Sequence, residues 1–352
     1  MEVMTVELAL RLKARGHRVG VTCIHDLGLL AERLERAEIP VSLVRVPGFR
    51  PNLFPERLAT HFRERELDIV HSHTGAWLKV THAARRAGVA GTVHTVHGLE
   101  NEVTGKDRAV MFAGALFTDV VAAVSHPLRD YLTREVRIPA RKVRVLINGI
   151  DVSRFTPEGE ATDLRAHFGL PPDAVLIGIV ARFAPVKDHA TLIAAFDRVA
   201  RSEPRAHLVL VGEGELRTAI EQDVARLDLA GRVHFLGSVG DTAPVYRGLD
   251  ILTLSSLSEG TSMSILEGLA TGLPVVATSV GGNPDLVQEG VQGHLVPSRD
   301  PRALAEGLVR LVRDPEHRRA AGVEARKRAV AEFSLTGMVE QYESLYEELA
   351  GG

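Results

Sequence analysis

The sequence contains little cysteine and no long run of apolar residues. Cys23 is the single cysteine among 352 residues, which excludes an intramolecular disulfide framework and a zinc site built on several thiolates. The stretch 109–118 is followed directly by Asp119, and 268–284 is interrupted by glycine and proline, so we expect neither to span a bilayer. Glu2 and Glu7 stand where a basic and then apolar signal peptide would begin. We therefore expect a soluble, cytoplasmic protein.

The sequence also lacks a large excess of charge of either sign. The formal net charge is -3, which argues against a nucleic-acid-binding protein held by bulk charge. Through Phe155 there are 23 basic and 17 acidic residues, and after it there are 19 and 28. The basic first half suits an anionic acceptor or peripheral association with the inner face of a membrane. It also suits a solvated charged surface, and the sequence leaves both interpretations open.

Short β-rich runs alternate with amphipathic helical stretches along the chain, whose length is enough for about two domains. In the second half the predicted strands are Val175–Val180, His207–Val211, Val233–Leu236, Ile251–Leu254 and Pro274–Thr278. In the first half they are Arg18–Cys23, Val41–Val46, Ile69–Ser72, Thr92–Thr95, Val120–Val124 and Val143–Ile147. Strand–helix alternation with short links places parallel strands between layers of helices. The sequence therefore predicts an α/β protein with doubly wound sheets.

The border between the two halves is predicted near the dipeptide Asn148-Gly149, which suits positive φ and precedes a polar stretch. We predict a first domain over residues 1–152 and a second domain over residues 153–335. Residues 336–352 are predicted to form a closing helix that packs back on the first domain.

The beginning of the chain departs from this plan. A doubly wound domain begins with a strand and a glycine-rich turn that lead into the first helix. Here Val3–Leu12 already predicts a helix, and it precedes the strand Arg18–Cys23. We therefore expect the first strand of the N-terminal domain to be missing, because the start codon is assigned too late or the chain is a fragment. A genuine deletion would leave two unpaired sheet edges, and we would then expect weak stability and little activity.

The strongest functional signal is the segment 258–274, Ser-Glu-Gly-Thr-Ser-Met-Ser-Ile-Leu-Glu-Gly-Leu-Ala-Thr-Gly-Leu-Pro. It follows a predicted strand, and open α/β sheets bind ligands at the carboxyl ends of their strands. Gly260 permits close approach of the backbone, and Thr261 and Ser262 are typical of the start of a helix. The unpaired amides of that first helical turn would bind an anion.

Two carboxylates flank this turn. Glu259 lies in the loop and Glu267 lies within the predicted helix, so both can face one crevice. Carboxylates repel a bare phosphate, whereas they are good acceptors for sugar hydroxyls. A ligand with phosphate in the middle and hydroxylated rings at both ends fits this arrangement. The segment therefore predicts a nucleotide-sugar site.

A second polar cluster, 182–188 or Arg-Phe-Ala-Pro-Val-Lys-Asp, also follows a predicted strand directly. Arg182 offers a planar fork and Lys187 a point charge, and the two together suit a diphosphate. Two cations in a loop are also compatible with simple solvation. Gly212 and Leu236 lie at the ends of later strands, so their backbones are expected at the rim of the same crevice.

Four histidines, His71, His73, His94 and His97, lie at the ends of two predicted strands. Their spacing would allow a shared metal ion, but no carboxylate or cysteine pattern completes a ligand set. Packing or capping roles are therefore favoured over a metal site. His97 is the histidine that we expect to contact substrate, because Gly98 frees its turn.

Taken together, these motifs resemble the retaining glycosyltransferases of family four, whose architecture of two Rossmann-like domains is called the GT-B fold. Glu259 and Glu267, separated by seven residues, have the spacing of that family. The other matching segments, in family order over nearly the whole chain, are 68–73, 95–98, 124–125, 148–151 with Phe155, 272–278 and 280–287. The resemblance implies two doubly wound domains that face each other across a cleft.

The resemblance also implies roles for individual residues. Arg182 and Lys187 match the cations that hold the donor diphosphate, and Glu267 matches the carboxylate that binds the donor ribose. Glu259 matches the residue that contacts the hydroxyls of the donor sugar, with the amides of the next three residues beside it. His97 matches the histidine near the transferred sugar. The implied catalytic set is His97, Lys187, Arg182 and Glu259.

The activity implied by the resemblance is transfer of a sugar from a nucleotide-diphosphate donor to a hydroxyl acceptor, with retention of configuration and without metal or cofactor. The implied acceptor is a sugar, a small molecule or a lipid-linked molecule, in the synthesis of cell-envelope or extracellular polysaccharide or glycolipid. Two alternatives stay open, a nucleotide-sugar epimerase of the same layout and a donor-binding protein without catalysis. The paired glutamates favour the transferase.

Overall fold

The computed structural model describes residues 2–28, 30–46, 48, 54–73, 75, 77–99 and 103–351. The chain forms two compact units, residues 1–148 together with 336–352, and residues 149–335. Every strand pair in the described ranges is parallel, which confirms the predicted α/β architecture. None of the helices in these ranges is both long enough and apolar enough to cross a membrane.

The first unit alternates short strands with helices. Its strands are β1 Val21–Cys23, β2 Val41–Leu43, β3 Ile69–His73, β4 Gly91–Val96, β5 Val120–Ala123 and β6 Val143–Val145. Its helices before the border are α1 Glu2–Ala14, α2 Ala31–Arg36, α3 Glu56–Arg63, α4 Trp77–Ala87, α5 Gly105–Leu116 and α6 His126–Arg134.

The strands of the first unit form two parallel ladders. β1 pairs with β2, and β3, β4, β5 and β6 pair in that order, while β1 and β3 do not pair with each other in the described part of the chain. All residues of β4 and β5 are buried, as expected for strands covered by helices on both faces. The strands predicted at 18–23 and 41–46 are shorter in the structure, with three residues each.

The second unit continues the alternation. Its strands are β7 Val175–Val180, β8 Ala206–Val211, β9 Val233–Gly237, β10 Ile251–Leu254, β11 Val275–Thr278 and β12 Gly293–Val296. Its helices are α7 Leu164–His167, α8 His189–Ser202, α9 Arg217–Arg226, α10 Ala243–Gly248, α11 Met263–Ala270, α12 Asn283–Leu286, α13 Pro301–Arg313 and α14 Pro315–Glu332. The last helix, α15 Leu335–Ala350, belongs to the first unit from residue 336 onward.

The second unit has one parallel sheet, in the order β12-β11-β10-β7-β8-β9. The chain starts at β7, adds β8 and β9 on one side, and then returns to add β10, β11 and β12 on the other. The order therefore reverses between β7 and β10, which are direct neighbours. Open α/β sheets bind ligands outside the carboxyl ends of their strands at such a reversal, so the loops that follow β7 and β10 are the first place to look for a site.

Candidate functional site

The loop after β7 and the loop after β10 are hydrogen-bonded to each other. The Ser255 hydroxyl donates to the carbonyl of Lys187 at 2.8 Å, and the Leu257 amide donates to the carbonyl of Val186 at 2.8 Å. Because β7 and β10 are parallel neighbours, their loops leave the sheet at the same edge. Two polar clusters that lie far apart in the sequence are thus joined through their backbones.

The central contact of this site is an ion pair between Lys187 and Glu259. Lys187 Nζ lies 2.5 Å from Glu259 Oε1, and the two side chains are only 21% and 10% exposed. The hydroxyl of Ser256 donates to the same oxygen of Glu259 at 2.7 Å. Since water is largely excluded, the attraction is stronger than that of a surface pair. The structure therefore brings together two of the residues predicted to bind the donor.

Arg182 lies in the same loop as Lys187 but is exposed. Its guanidinium makes no hydrogen bond or ion pair with the described residues, whereas the loop itself is fixed by its neighbour Phe183. The ring of Phe183 is fully buried, and its amide donates to the carbonyl of Glu213 at 2.9 Å. Arg182 is thus an available cation on an anchored backbone, a combination that suits an anionic ligand.

The helix α11 begins beside Glu259. Ser262 is its N-cap residue and accepts a hydrogen bond from the amide of Ile265 at 3.3 Å, as its sequence position predicts. Ser264, in the first turn, donates to the carbonyl of Val180 at the end of β7 at 2.6 Å. Thr261 and Ser262 are buried. The amino end of α11 is therefore attached to the carboxyl end of β7, next to the Lys187–Glu259 pair.

The backbone of Glu259 is held from the other side by Gly281, which follows β11. Gly281 has a φ of 50°, and a Cβ atom built there would lie 1.7 Å from the carbonyl oxygen of Glu259. The neighbouring Gly282 amide donates to the carbonyl of Gly260 at 2.9 Å. Only glycine fits at 281, because both the positive φ and the contact exclude a side chain.

Replacing Gly281 with alanine is therefore expected to displace the loop that carries Glu259. We expect the free energy of unfolding to fall by about 1–3 kcal/mol, since the new methyl group overlaps backbone and the φ is strained. Urea denaturation of wild type and variant measures this change. Gly240→Ala is the matched control, because a Cβ atom at 240 meets no atom within 4 Å. Equal loss in both variants would contradict the interpretation.

Glu267 lies on α11 in a different environment from Glu259. Burial raises the pKa of the Glu267 carboxyl to about 7, and the nearby Tyr246 hydroxyl and Arg154 guanidinium oppose that rise. In the described part of the chain Glu267 makes no hydrogen bond or ion pair with Arg182, Lys187 or Glu259. The two glutamates thus have distinct surroundings, one paired with a lysine and one beside a buried tyrosine.

Gly212 lies at the predicted edge of the site, with Leu236 one strand further. Gly212 follows β8 with a φ of 138°, and a Cβ atom there would lie 2.1 Å from the carbonyl oxygen of Ala181. Its amide donates to the carbonyl of Gly237 at 2.8 Å. Leu236 is part of β9 and is half-buried. Gly212 therefore packs against the loop of Arg182 itself.

The sequence analysis missed several residues of this site. Ser256 was not singled out, and no local pattern predicts its hydrogen bond to the Glu259 carboxylate. Tyr246 and Arg154, which surround Glu267, lie in other elements and carried no local signal. Gly281 was noted only as part of a family motif.

In the first unit, two of the four histidines are engaged inside the unit. His94 Nδ1 lies 2.7 Å from the hydroxyl of Ser72, and its ring stacks on Trp77 at a centroid distance of 4.2 Å. His71 contacts Tyr346 of α15 through Nδ1 at 2.5 Å and Thr95 through Nε2 at 2.7 Å. These contacts account for His71 and His94 as packed residues, which is the role that the sequence favoured over a metal site.

The other two histidines contact each other. His73 Nδ1 and His97 Nε2 lie 2.9 Å apart, while His97 Nδ1 is buried and has no hydrogen-bond partner among the described residues. Burial lowers the pKa of His97 to about 4, so its ring is neutral near pH 7. In the described ranges, no group of three or more histidine, cysteine, aspartate or glutamate side chains could hold a metal ion.

Two family models match the chain. The model described as Glycosyltransferase Family 4 matches residues 1–154, and the model described as Glycosyl transferases group 1 matches residues 174–314. The two matches follow each other along the chain and together cover most of it.

Named relatives and solved structures agree with these models. N-acetyl-alpha-D-glucosaminyl L-malate synthase of Bacillus anthracis is 28% identical over 99% of this chain and 93% of the relative. D-inositol 3-phosphate glycosyltransferase of Saccharomonospora viridis is 31% identical over 90% of this chain and 77% of the relative. The crystal structure of Anabaena Alr3699/HepE in complex with UDP has a TM-score of 0.86 and 22% identity, over 99% of this chain and 96% of that chain. The protein therefore belongs to glycosyltransferase family 4 and is a glycosyltransferase with the GT-B fold.

Proposed function

We propose that the protein is a retaining glycosyltransferase that moves a sugar from a nucleotide-diphosphate donor to a hydroxyl group of an acceptor. The observation that carries the proposal is the Lys187–Glu259 pair at the reversal of strand order, with the exposed guanidinium of Arg182 in the same loop. The relatives support a sugar donor by their names, and the Anabaena structure contains UDP. Membership in the family favours transfer over the alternative of a nucleotide-sugar epimerase.

Lys187 and Arg182 act on the leaving group in this proposal. Breaking the bond between the anomeric carbon and the phosphate leaves negative charge on the nucleoside diphosphate. Two cations held in place before the reaction stabilise that charge without reorganisation. The first amides of α11 lie next to the pair and add further donors. These groups supply the charge stabilisation that a metal ion would otherwise provide, so we propose a metal-independent reaction without a cofactor.

The remaining site residues hold the two rings of the donor. The Glu259 carboxylate accepts hydrogen bonds from the hydroxyls of the sugar, and the amides of Gly260, Thr261 and Ser262 donate to it. Glu267 binds the ribose hydroxyls. His97 contacts the transferred sugar through Nδ1, which is buried and has no hydrogen-bond partner in the part of the chain that the structure describes. The acceptor hydroxyl attacks from the face that the diphosphate leaves, so the anomeric configuration is retained. Gly212 and Leu236 contribute backbone at the edge of the donor site.

The pKa of Glu267 makes donor binding depend on pH. The carboxylate accepts hydrogen bonds from two ribose hydroxyls, whereas the protonated acid is a poorer acceptor. Since burial raises the pKa of Glu267 to about 7, the Kd of UDP is expected to rise as the pH falls below 7, by at most about tenfold per pH unit. Isothermal titration with UDP between about pH 6 and pH 8 measures this slope.

The control for this prediction is Glu267→Gln, which is uncharged at every pH. We expect the variant to bind UDP weakly and with a shallower pH dependence over the same range, because only the terminal phosphate of UDP, with a pKa of about 6, still titrates there. A slope as steep in the variant as in the wild type would assign the titration to another group.

The donor is tested with a panel of UDP-, GDP- and ADP-sugars. A donor at a concentration well above its Kd should stabilise the folded protein by a few kcal/mol, about 2.7 kcal/mol at 100 times the Kd. Release of UDP, GDP or ADP then reports cleavage, and the anomeric configuration of the product reports retention. An epimer formed without an acceptor would indicate the epimerase, and stabilisation without turnover would indicate a donor-binding protein. No stabilisation by any member would contradict the proposal.

We also propose that the acceptor is lipid-linked or lies at the inner face of a membrane, as in the synthesis of cell-envelope polysaccharide or glycolipid. The helix α5 supports this, because Ala109, Phe112 and Leu116 recur every three or four residues and share one face. All three are exposed, with Phe112 at 41% and Leu116 at 61%. Lys106 and Arg108 precede this stripe. An exposed apolar face with adjacent cations is typical of helices that bind anionic lipid surfaces.

Sedimentation with phosphatidylcholine vesicles, with and without phosphatidylglycerol, tests membrane association. We expect binding only to the anionic vesicles and loss of binding in the double variant Phe112→Ser, Leu116→Ser. Val323→Ser is the matched control, since Val323 is 66% exposed on a helix of the second unit. Wild-type protein that stays in the supernatant with both vesicles would refute this part of the proposal.

A further inference from the structure

The contact between His73 and His97 joins the ends of two neighbouring strands. His73 is the last residue of β3, and His97 follows β4 directly. Besides the 2.9 Å contact between His73 Nδ1 and His97 Nε2, their rings stack with centroids 5.2 Å apart and planes at 26°. The plane of the His97 ring is therefore determined by His73.

The same contact constrains the proton on His97. The ring is neutral near pH 7, so one of its nitrogens carries a proton and the other does not. A hydrogen bond between two imidazole nitrogens requires one donor and one acceptor, and a single proton lies between them. His97 Nδ1 is buried and has no hydrogen-bond partner within the described ranges. The direction of the bond between the two rings therefore determines whether this nitrogen is a donor or an acceptor.

We propose that His73 is a positioning residue that sets the ring plane and the tautomer of His97, and thereby presents His97 Nδ1 to a hydroxyl of the donor sugar. This inference rests on the proposed function, in which His97 contacts the transferred sugar. His73 itself needs no contact with the substrate. Its effect on the reaction is transmitted by the hydrogen bond between His73 Nδ1 and His97 Nε2.

His71 provides a contrast within the same group of rings. Its ring lies 4.1 Å from that of His73, but both of its nitrogens are engaged, by Thr95 and by Tyr346. Thr95→Val removes the two buried hydrogen bonds of the Thr95 hydroxyl, to His71 and to Tyr342, while leaving the His73–His97 bond in place. This variant is therefore a matched control for loss of stability.

The kinetic test compares His73→Leu, His73→Asn and His97→Ala, singly and as the double variant His73→Leu, His97→Ala. Release of UDP from UDP-glucose and from UDP-N-acetylglucosamine is measured. We expect His73→Leu to lower kcat roughly 10- to 100-fold with little change in KM, because the imidazole of His97 is misplaced.

Three further variants serve as controls. In His73→Asn, the side-chain amide replaces Nδ1 and should retain most of the wild-type kcat. In the His97→Ala background, His73→Leu should have no further effect, and Thr95→Val should keep the wild-type kcat.

The tautomer is measured independently of turnover by 15N chemical shifts of histidine-labelled protein, with His97 assigned from the spectrum of the His97→Ala variant. We expect one neutral tautomer of His97 in the wild type and a mixture in His73→Leu. A wild-type kcat in His97→Ala would remove His97 from the proposed function. The positioning role alone is overturned by an unchanged kcat in His73→Leu or by a further loss of kcat in the double variant. If neither sugar is cleaved, the role is overturned by an unchanged tautomer of His97 in His73→Leu.

Discussion

Lys187→Ala should lower the turnover number about a hundredfold, which corresponds to about 3 kcal/mol of lost transition-state stabilisation. The ammonium group is buried beside Glu259 at 2.5 Å, so its charge is placed before the donor arrives. Removing it withdraws a cation from the leaving diphosphate and also leaves the Glu259 carboxylate unpaired. Steady-state release of the nucleoside diphosphate from the best donor of the panel measures the loss.

Two further variants make this prediction specific. Lys187→Arg keeps the charge and should recover part of the lost rate, because guanidinium also binds phosphate. Arg198→Ala removes an exposed cation on α8, about 14 Å along the helix from its first residue, and should leave turnover unchanged. A Lys187→Ala enzyme with wild-type turnover would remove Lys187 from the mechanism.

The second large effect is loss of stability in acid. The ring of His189 is 1% exposed, and neither of its nitrogens has a hydrogen-bond partner in the described part of the chain. Burial, with a smaller contribution from Lys187, lowers the pKa of His189 to about 4. The folded state therefore favours the neutral ring, whereas the unfolded chain has the ordinary pKa near 6.5. This stability is fully present above about pH 6.5 and is lost as the pH falls towards 4, by about 3 kcal/mol.

Other buried histidines act in the same direction. Burial lowers the pKa of His71 to about 3 and of His207 to about 4, and that of His94 well below its ordinary value. Glu267 opposes them, because its raised pKa stabilises the folded state most below pH 4.5 and less as the pH rises through 7. One carboxyl does not offset several imidazoles, so we expect cooperative unfolding between about pH 6 and pH 4.

Urea denaturation at about pH 7.5 and about pH 5.5 tests this expectation. His189→Leu removes one titrating ring and should reduce the pH dependence of the free energy of unfolding. His25→Gln, at an exposed histidine, should leave it unchanged. Equal pH dependence in wild type and His189→Leu would show that His189 is not responsible.

The sequence was most informative where the signal is local. The apolar run Val175–Val180 predicted β7 with its observed bounds, because a fully buried parallel strand needs apolar residues on both faces. Aspartate is a residue type that favours helix N-caps, and Asp188, the N-cap of α8, accepts a hydrogen bond from the amide of Thr191 at 3.3 Å. The strand predicted at 18–23 was too long: Arg18, Val19 and Gly20 are not part of the ladder, and glycine is depleted in strands.

Strand topology predicted which loops form the site, but it did not predict the side-chain contacts within it. Lys187 and Glu259 lie 72 residues apart, and the expectation that they meet followed from placing both after strands of one parallel sheet. The contacts that tune the site depend on packing between distant elements. Tyr246 beside Glu267 and Gly281 against Glu259 are such contacts, and no periodicity or spacing encodes them. The pairing of His73 with His97 likewise depends on strand register.

The Lys187–Glu259 pair has a consequence for product release in the mechanism that we propose. Because Lys187 is already paired with Glu259, a donor diphosphate would bind by replacing the carboxylate as the partner of the lysine. After transfer, the carboxylate would compete for the lysine and promote release of the nucleoside diphosphate. This competition would limit the affinity for the product and favour rapid turnover.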